Sequence, residues 1–464
     1  MKMNETIKYS MAAIVVIASL AGIAKTAIDE IKLAASAYLY GYPLVIMEET
    51  RKGLTAHGGM NQLKHTQDFP DSDFRLVVRP NVDTLYTSAW IDLSQGPLIL
   101  SMPATGERYY VLPFMDAWTN VFERRGTSTT GNEAQEIAVV GPDFTGELPS
   151  GIDSVVKSPT DMVWMIGRIQ SNSKFDVVNV ANIQADMALT PLALWKTGER
   201  YKGVTNSLSE DKSIDPMKIV DAMDAQTFFS KMNTLMEQQS PASVDSDELA
   251  KFAHLNIVAG ANFQKDNLGF IQQWAVEKAL PLTIEKLLQA VGIREANEQG
   301  WNVMLDLGTY GTNYKLRAAI ARLGLGALPA IEASYPSTSV DATGHAYDGS
   351  NNYVLHFPAE NIPSVRAFWS LSMYDHEGFF IDNYINRYAI GDRSGLEFNA
   401  DGSLDLYIQN QPPSQGTSNW LPAPADKFNL LLRLYMVDEA FLKGEWTLPP
   451  VRKVENKSDS LKAV

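Results

Sequence analysis

The chain has 464 residues, 45% hydrophobic and 20% charged, with a formal net charge of −15 and no cysteine. That length predicts two or three domains, and the apolar share is enough to give each a core. The charge argues against a nucleic-acid or anionic-membrane partner, whose phosphates it would repel. The missing thiols exclude disulfides, thiolate metal sites, cysteine nucleophiles and lipid attachment through cysteine.

At the N-terminus, Lys2 and Lys8 precede an apolar run from Met11 to Ala24, and small residues follow around Gly22 to Ala27. A positive start, a short apolar centre and a small-residue exit form the pattern of a secretory signal peptide. The 14 positions of the run fall short of the roughly 20 needed to span a bilayer. Residues 1–27 are therefore read as a signal peptide and the protein as periplasmic or secreted in a bacterium. The alternative is a membrane anchor formed by an uncleaved N-terminal segment.

Residues 28–52 read as mostly helix, with Ile31, Ala34, Ala35 and Tyr38 at helical spacing and Gly41-Tyr42-Pro43 as an interruption. From about residue 74 the texture changes to short runs rich in Val, Ile, Tyr and Trp: Phe74 to Val78, Leu98 to Met102, Tyr109 to Phe114, Glu136 to Val140 and Met162 to Ile169. Gly, Pro and Asp separate them, which predicts strands joined by turns. Helical texture returns at Pro216 to Met223, Phe228 to Met236, Asp247 to Ala259, Thr283 to Val291 and Tyr314 to Leu323, with Pro281 and Gly324-Leu-Gly326 as breaks. After Pro336 come strand-like runs at Tyr353 to Phe357, Ala367 to Tyr374, Leu404 to Gln409 and Phe428 to Val437. The expectation is a mainly β protein, with two β-sandwich or jelly-roll domains flanking a central all-α domain. Its boundaries are a signal peptide at 1–27, an N-terminal sandwich with a leading helix at 28–209, a helical domain at 210–334, a jelly-roll-like domain at 335–455 and a polar tail at 456–464.

The six histidines, His57, His65, His254, His345, His356 and His376, form no metal-ligand spacing, so no metal and no cofactor is expected. There is no nucleophile elbow, dinucleotide fingerprint or phosphate-binding loop. What remains is a set of polar-aromatic clusters. The densest is Arg79-Pro80-Asn81-Val82-Asp83-Thr84-Leu85-Tyr86, at the end of an apolar run and closed to helix by its proline. Others are Asp116 to Asn120, Trp369 to Asp375 with Arg387 beyond it, and Asn419-Trp420 with Arg433 and Tyr435.

Such residues suit a polar ligand with apolar faces, such as a sugar. Asp83 and Asp116 are the candidate acid and base, if the fold brings them together. Arg79, Asn81, Tyr86, Trp369, Tyr374 and Arg387 are the candidate ligand-binding residues, with Arg holding an anionic or hydroxyl group and the rings stacking. The same residues could instead form structural ion pairs and core.

The octet, with Arg108-Tyr-Tyr, Asp116 and Gly141-Pro142, resembles the N-terminal domain of unknown function 1254. Phe368 to Asp375, Asn386 to Arg393, Asp401-Gly-Ser-Leu, Asn419 to Pro424 and Leu432-Arg-Leu-Tyr resemble its usual companion, domain of unknown function 1214. The resemblance implies two β-sandwich domains with a helical domain between them, and frequent export. It supplies no activity, cofactor or catalytic residue. Arg124 and Arg125 depart from the family pattern and take no role from it.

The leading functional expectation is an exported enzyme, of hydrolase or lyase type, or a binding protein. Either would act on a small polar, carbohydrate-like ligand, as a homo-oligomer without stable membrane insertion after signal cleavage. The alternative is a non-catalytic oligomeric structural or assembly protein of the cell envelope.

Overall fold

A computed structural model describes residues 5–56, 58–75, 78–205, 215–292 and 296–454, without side chains for 5–20 and 288–292. The protein is mostly β, with several sheets and a helical layer. The expected polar tail at 456–464 and Met1 to Asn4 of the expected signal peptide lie outside the described residues. Among the described residues, no helix is long and apolar enough to cross a membrane.

The first β unit contains β1 (Lys64–His65), β2 (Thr84–Asp92), β3 (Leu98–Met102), β4 (Tyr110–Asp116), β5 (Val121–Gly126), β6 (Gln135–Val140), β7 (Ser154–Lys157), β8 (Met162–Gln170), β9 (Ala188–Pro191) and β10 (Val204–Thr205). They form one sheet of order β10-β1-β2-β8-β4-β5 and another of order β7-β6-β3-β9. Strand periodicity of two sorts the side chains of β2. Leu85, Ala89 and Ile91 enter a core shared with Leu98 and Leu100 of β3 and Ile137 and Val139 of β6. On the opposite face, Trp90 of β2 stacks on Trp164 of β8 at 4.8 Å, and both join the apolar core of the helical layer.

That layer is organised around α1 (Glu5–Thr55), against which α4 (Pro216–Asp221), α5 (Ala225–Gln238), α6 (Ser246–Phe252), α7 (Phe270–Gly292) and α8 (Tyr314–Leu323) all pack. The short helices α2 (Val177–Asp186) and α3 (Leu192–Trp195) stay with the first β unit. Two features differ from expectation. Gly41-Tyr42-Pro43 does not interrupt α1, and Pro281 does not break α7. A proline costs a helix one hydrogen bond and a ring clash, on the order of 3 kcal/mol. Burying Ala37, Tyr38, Tyr40, Tyr42, Leu44, Val45 and Met47 together outweighs that cost in α1. The leading helix therefore serves the helical layer more than the sheet beside it in sequence. Polar bonds fix it there: Tyr40 and Tyr314 both donate to Asp245, and Arg322 of α8 joins Asp221 of α4 to the Tyr42 hydroxyl.

The second β unit contains β11 (Ala333–Ser334), β12 (Ser337–Thr338), β13 (Tyr353–Phe357), β14 (Trp369–Tyr374), β15 (Ala389–Gly391), β16 (Leu404–Gln409), β17 (Trp420–Pro422), β18 (Asn429–Tyr435) and β19 (Val451–Lys453). One sheet runs β11-β18-β14-β15, with β12 also on β18, and the other runs β17-β16-β13-β19. They share a core that includes Leu355, Leu371, Leu406 and Leu432. Trp301 is buried in that core too, and β11 pairs with β18, so the second unit recruits chain from before residue 335.

Gly41 lies where a Cβ would run into the buried Met232 thioether of α5. Gly41→Ala is expected to lower unfolding free energy by about 1–3 kcal/mol through overpacking, although alanine is the better helix former. Denaturant unfolding with a Gly41→Ala, Met232→Ala double-mutant cycle checks this. Additive losses would refute the contact.

Candidate functional site at the domain junction

The octet turns tightly before β2 begins. Asn81 Oδ1 accepts the N–H groups of Asp83 and Thr84 at 2.8 and 2.9 Å, and its Nδ2 donates to the Tyr86 hydroxyl at 2.8 Å. This is an Asx turn, which an asparagine before a strand is suited to make. Arg79 has φ of 53°, a left-handed conformation that a long side chain seldom adopts. Its N–H bonds to Gly378 O at 2.7 Å, and its carbonyl accepts from Arg433 at 2.9 Å, so contacts with the second unit hold the strain.

The octet faces one side of the second unit. Along β14, Trp369, Leu371 and Met373 enter the unit's own core, which leaves Ser370, Ser372 and Tyr374 on the opposite face. Along β18, Leu430, Leu432 and Leu434 point inward, and Leu431, Arg433 and Tyr435 point outward. Polar side chains of this outer face take up the octet. Tyr374 donates to Pro80 O at 2.6 Å, and Arg433 bonds the carbonyls of Arg79 and Pro80 and the Ser372 hydroxyl. Asp83, 3% exposed, accepts from Ser370 at 2.6 Å and pairs with Arg393 at 2.5 Å. The Arg393 guanidinium also lies 3.9 Å above the Phe368 ring.

Behind this seam lies a second group of polar residues. Arg168 on β8 is buried, bonds the carbonyls of Ile166 and Gly326, and sits over the Tyr86 ring at 5.4 Å. Burial opposes its charge, but the side chains of Tyr86, Tyr335, Tyr435 and Tyr109 around it raise its pKa overall. Burial likewise pushes the Tyr109 and Tyr435 hydroxyls well above their ordinary range, so both stay protonated and can donate. Tyr109 donates to Glu332 at 2.7 Å, Ser128 bonds the same carboxylate, and Arg124 lies 3.8 Å from it. The hydroxyls of Tyr335 and Tyr435 have no hydrogen-bond partner among the described residues. A cavity of about 130 Å³ opens beside Asp83, lined also by Val82, Asn172, Ser370, Ala389 and Arg393. A larger hollow of about 270 Å³ is lined by residues such as Leu93, Pro97, Gly141, Phe144 and Asp161, none of its lining coming from the octet or its partners. Among the described residues, no group of three or more His, Asp or Glu side chains is placed to hold a metal ion.

The expected site residues thus divide. Arg79, Asn81, Asp83, Tyr86 and Tyr374 come together at the junction. Trp369 does not: its side chain is buried in the second unit's core against Phe357. Tyr374 is fully buried, so its ring has no face left for stacking on a ligand. Arg387 bonds the carbonyls of Thr417 and Trp420 and clamps the chain entering β17. Asp116 cannot pair with Asp83. Thr84 is opposite Gln170 and Asp116 opposite Val163, seven residues apart on β8, which separates the carboxylates by roughly 23 Å. Asp116 instead closes its own turn, accepting the N–H groups of Trp118 and Asn120. Sequence reasoning missed Arg393, Arg168, Tyr335 and Glu332 as site residues, and named Ser370 only as part of a polar-aromatic cluster. Arg168 carried a readable signal, a charge inside the apolar run Met162 to Ile169.

Burial raises the Asp116 pKa to about 6, against the turn donors and Arg317, which lower it. A raised carboxyl favours the folded state while protonated, so its contribution is lost as pH rises from the ordinary 3.8 through about 6. Asp116→Asn keeps the turn acceptor and is expected to flatten the stability profile over that window. Urea unfolding across pH 4–7 measures this, and an unchanged slope in the variant would refute it.

Residues 60–191 match the family model described as "Protein of unknown function (DUF1254)", and residues 332–439 match "Protein of unknown function (DUF1214)". No curated protein matches the chain. The crystal structure of the VPA0106 protein from Vibrio parahaemolyticus aligns with 92% of this chain and 100% of its own, at a TM-score of 0.70 and 23% identity, a likeness of fold alone. An uncharacterised protein from Burkholderia cenocepacia aligns with 94% of this chain and 96% of its own at a TM-score of 0.42 and 11% identity, too loosely to carry an argument. The octet falls within the first matched segment, and its partners Ser370, Tyr374, Arg393 and Arg433 fall within the second: the chain belongs to the family that joins a DUF1254 domain to a DUF1214 domain.

Proposed function

We propose that the protein binds a small polar ligand at the junction of its two β units, each read as a β-sandwich of jelly-roll type. The observation that carries this reading is the cavity of about 130 Å³ beside the buried Asp83–Arg393 pair, bordered by Ser171, Asn172, Ser370 and Ser394. A buried ion pair at the edge of a hydroxyl- and amide-lined space offers directional donors and acceptors with little apolar surface, which favours a hydrophilic ligand. Binding leads over hydrolysis because both Asp83 oxygens are engaged; a second carboxylate, Asp392, lies 3.6 Å from the same Arg393 guanidinium, with a pKa raised by burial to about 6. The rival is a non-catalytic assembly protein whose polar motifs lock one domain to the other. It draws on the same observation that the octet's polar groups bond across the junction.

Ala389→Leu separates the two readings, since it fills the cavity and leaves the ion pair alone. Binding predicts that a panel of sugars, polyols and small acids contains compounds that raise the melting temperature of the native protein and do not affect the variant. If no compound shifts the native protein while Asp83→Asn costs about 3–5 kcal/mol of stability, the lock alone stands.

We also propose export, with cleavage after residue 24 or 27. Residues 21–26 are exposed, and the fully buried part of α1 starts at Ala34, so removal of the leader would leave the core contacts in place. Intact-mass measurement of protein recovered from bacterial periplasm or medium should give a mature start at residue 25 or 28. A full-length mass would favour the anchored alternative.

A further inference from the structure

The cavity beside Asp83 has a floor and a rim of different character. Ser370 of β14 stands opposite Gly391 of β15, and Ser372 opposite Ala389. Cross-strand partners share a face, so Gly391 and Ala389 lie on the same outer face as Ser370 and Ser372. Ser370, Ala389 and Gly391 all line the cavity, and their small size leaves a floor of methyl and backbone surface. The rim is polar: Asp83, Ser171, Asn172, Arg393 and Ser394.

The charges at this rim cancel. Among the described residues, Asp83 and Arg393 are the only charged side chains that line the cavity, and they are bonded to each other. Behind them, Asp392 lies 3.6 Å from the Arg393 Nε. Burial opposes the charge of Arg433, and nearby tyrosines and Asp83 support it. Two carboxylates thus answer two guanidiniums, and a charged ligand would meet no spare counter-charge here. The uncharged groups are of both polarities. The Ser370 hydroxyl donates to Asp83 and the Ser171 hydroxyl to Ser173 O, which leaves both oxygens as acceptors. Asn172 Oδ1 accepts from Gln170, and Ser394 Oγ accepts from the Gly391 N–H. Neither the Asn172 Nδ2 group nor the Ser394 hydroxyl hydrogen has an acceptor among the described residues. An ionised carboxylate only accepts and an ammonium only donates, whereas an alcohol does both through one atom and brings no charge.

We infer that the cavity takes an uncharged polyol the size of one sugar ring, its hydroxyls bonded to Asn172, Ser394, Ser171 and Ser370 and its C–H face resting on Ala389 and Gly391. At about 130 Å³ the space is smaller than the roughly 300–1,000 Å³ of drug-sized sites, which suits a single unit rather than a chain. This names the chemical class of the ligand and rests on the binding reading above. The test titrates the full chain by calorimetry with glucose, xylose and myo-inositol, and with glucuronate and 6-amino-6-deoxyglucose as charged counterparts, at matched ionic strength. At least one neutral compound should bind saturably, each charged counterpart about tenfold or more weakly, and Ala389→Leu should abolish binding. Asn172→Asp keeps the acceptor for Gln170 and replaces the free donor by a charge. It should weaken the neutral compound by about tenfold, the loss of one hydrogen bond, and narrow the gap to the amino sugar. Unchanged melting temperatures of the unliganded variants show that both fold. If a charged counterpart binds more tightly than every neutral compound and Ala389→Leu abolishes that binding, the ligand class is wrong and the cavity site stands. Neutral binding that Asn172→Asp leaves unchanged would also overturn the inference alone. If no compound binds, or Ala389→Leu leaves binding intact, the inference and the binding reading fall together.

Discussion

The two β units are joined by a turn that offers carbonyls on one side and a carboxylate on the other. Arg433 and Tyr374 capture the carbonyls of Arg79 and Pro80, and Ser370 and Arg393 capture Asp83. These bonds form only if β14 and β18 present alternate residues outward, so strand registry in one unit determines whether the other can dock. Breaking a buried pair of this kind strands a charge in a low-dielectric setting, which costs far more than the pair contributes relative to apolar residues. The junction is therefore specified by complementarity and tolerates little substitution.

Such a seam can serve both architecture and recognition. Asp83 is engaged through both oxygens in holding the units together, and Asp116 lies too far along the strands to act with it. A site assembled from both units also forms only when they are docked, so whatever binds there stabilises the docked form by mass action.

Much of the local structure was legible in the sequence. Tyr353 to Phe357, Leu404 to Gln409 and Tyr314 to Leu323 have the bounds their apolar spacing implies, because packing follows periodicity there. The prolines at 43 and 281 misled, because a proline's cost is local and the burial that offsets it comes from distant helices. The site was half legible. The octet's density of polar groups marked it as special, yet its partners lie 287 and 310 residues away at Ser370 and Arg393. No local pattern encodes such a pairing. Trp369 and Tyr374 looked like ligand-facing rings because composition cannot say which face of a strand is buried. Asp116 looked like a partner for Asp83 because sequence proximity hides the length of the strands between them.

The first helix has a consequence for the order of folding. Its buried tyrosines bond residues 205 and 280 positions further along the chain, at Asp245 and Arg322. A segment that leaves the ribosome early therefore finds its partners only after most of the polypeptide has followed. Closing loops of that size is slow compared with forming hairpins or helices. During this interval α1 would present an unsatisfied apolar surface. A chain that keeps its central helix waiting stays open for longer, and until α7 and α8 arrive that surface is free for a chaperone or a translocation machinery to hold.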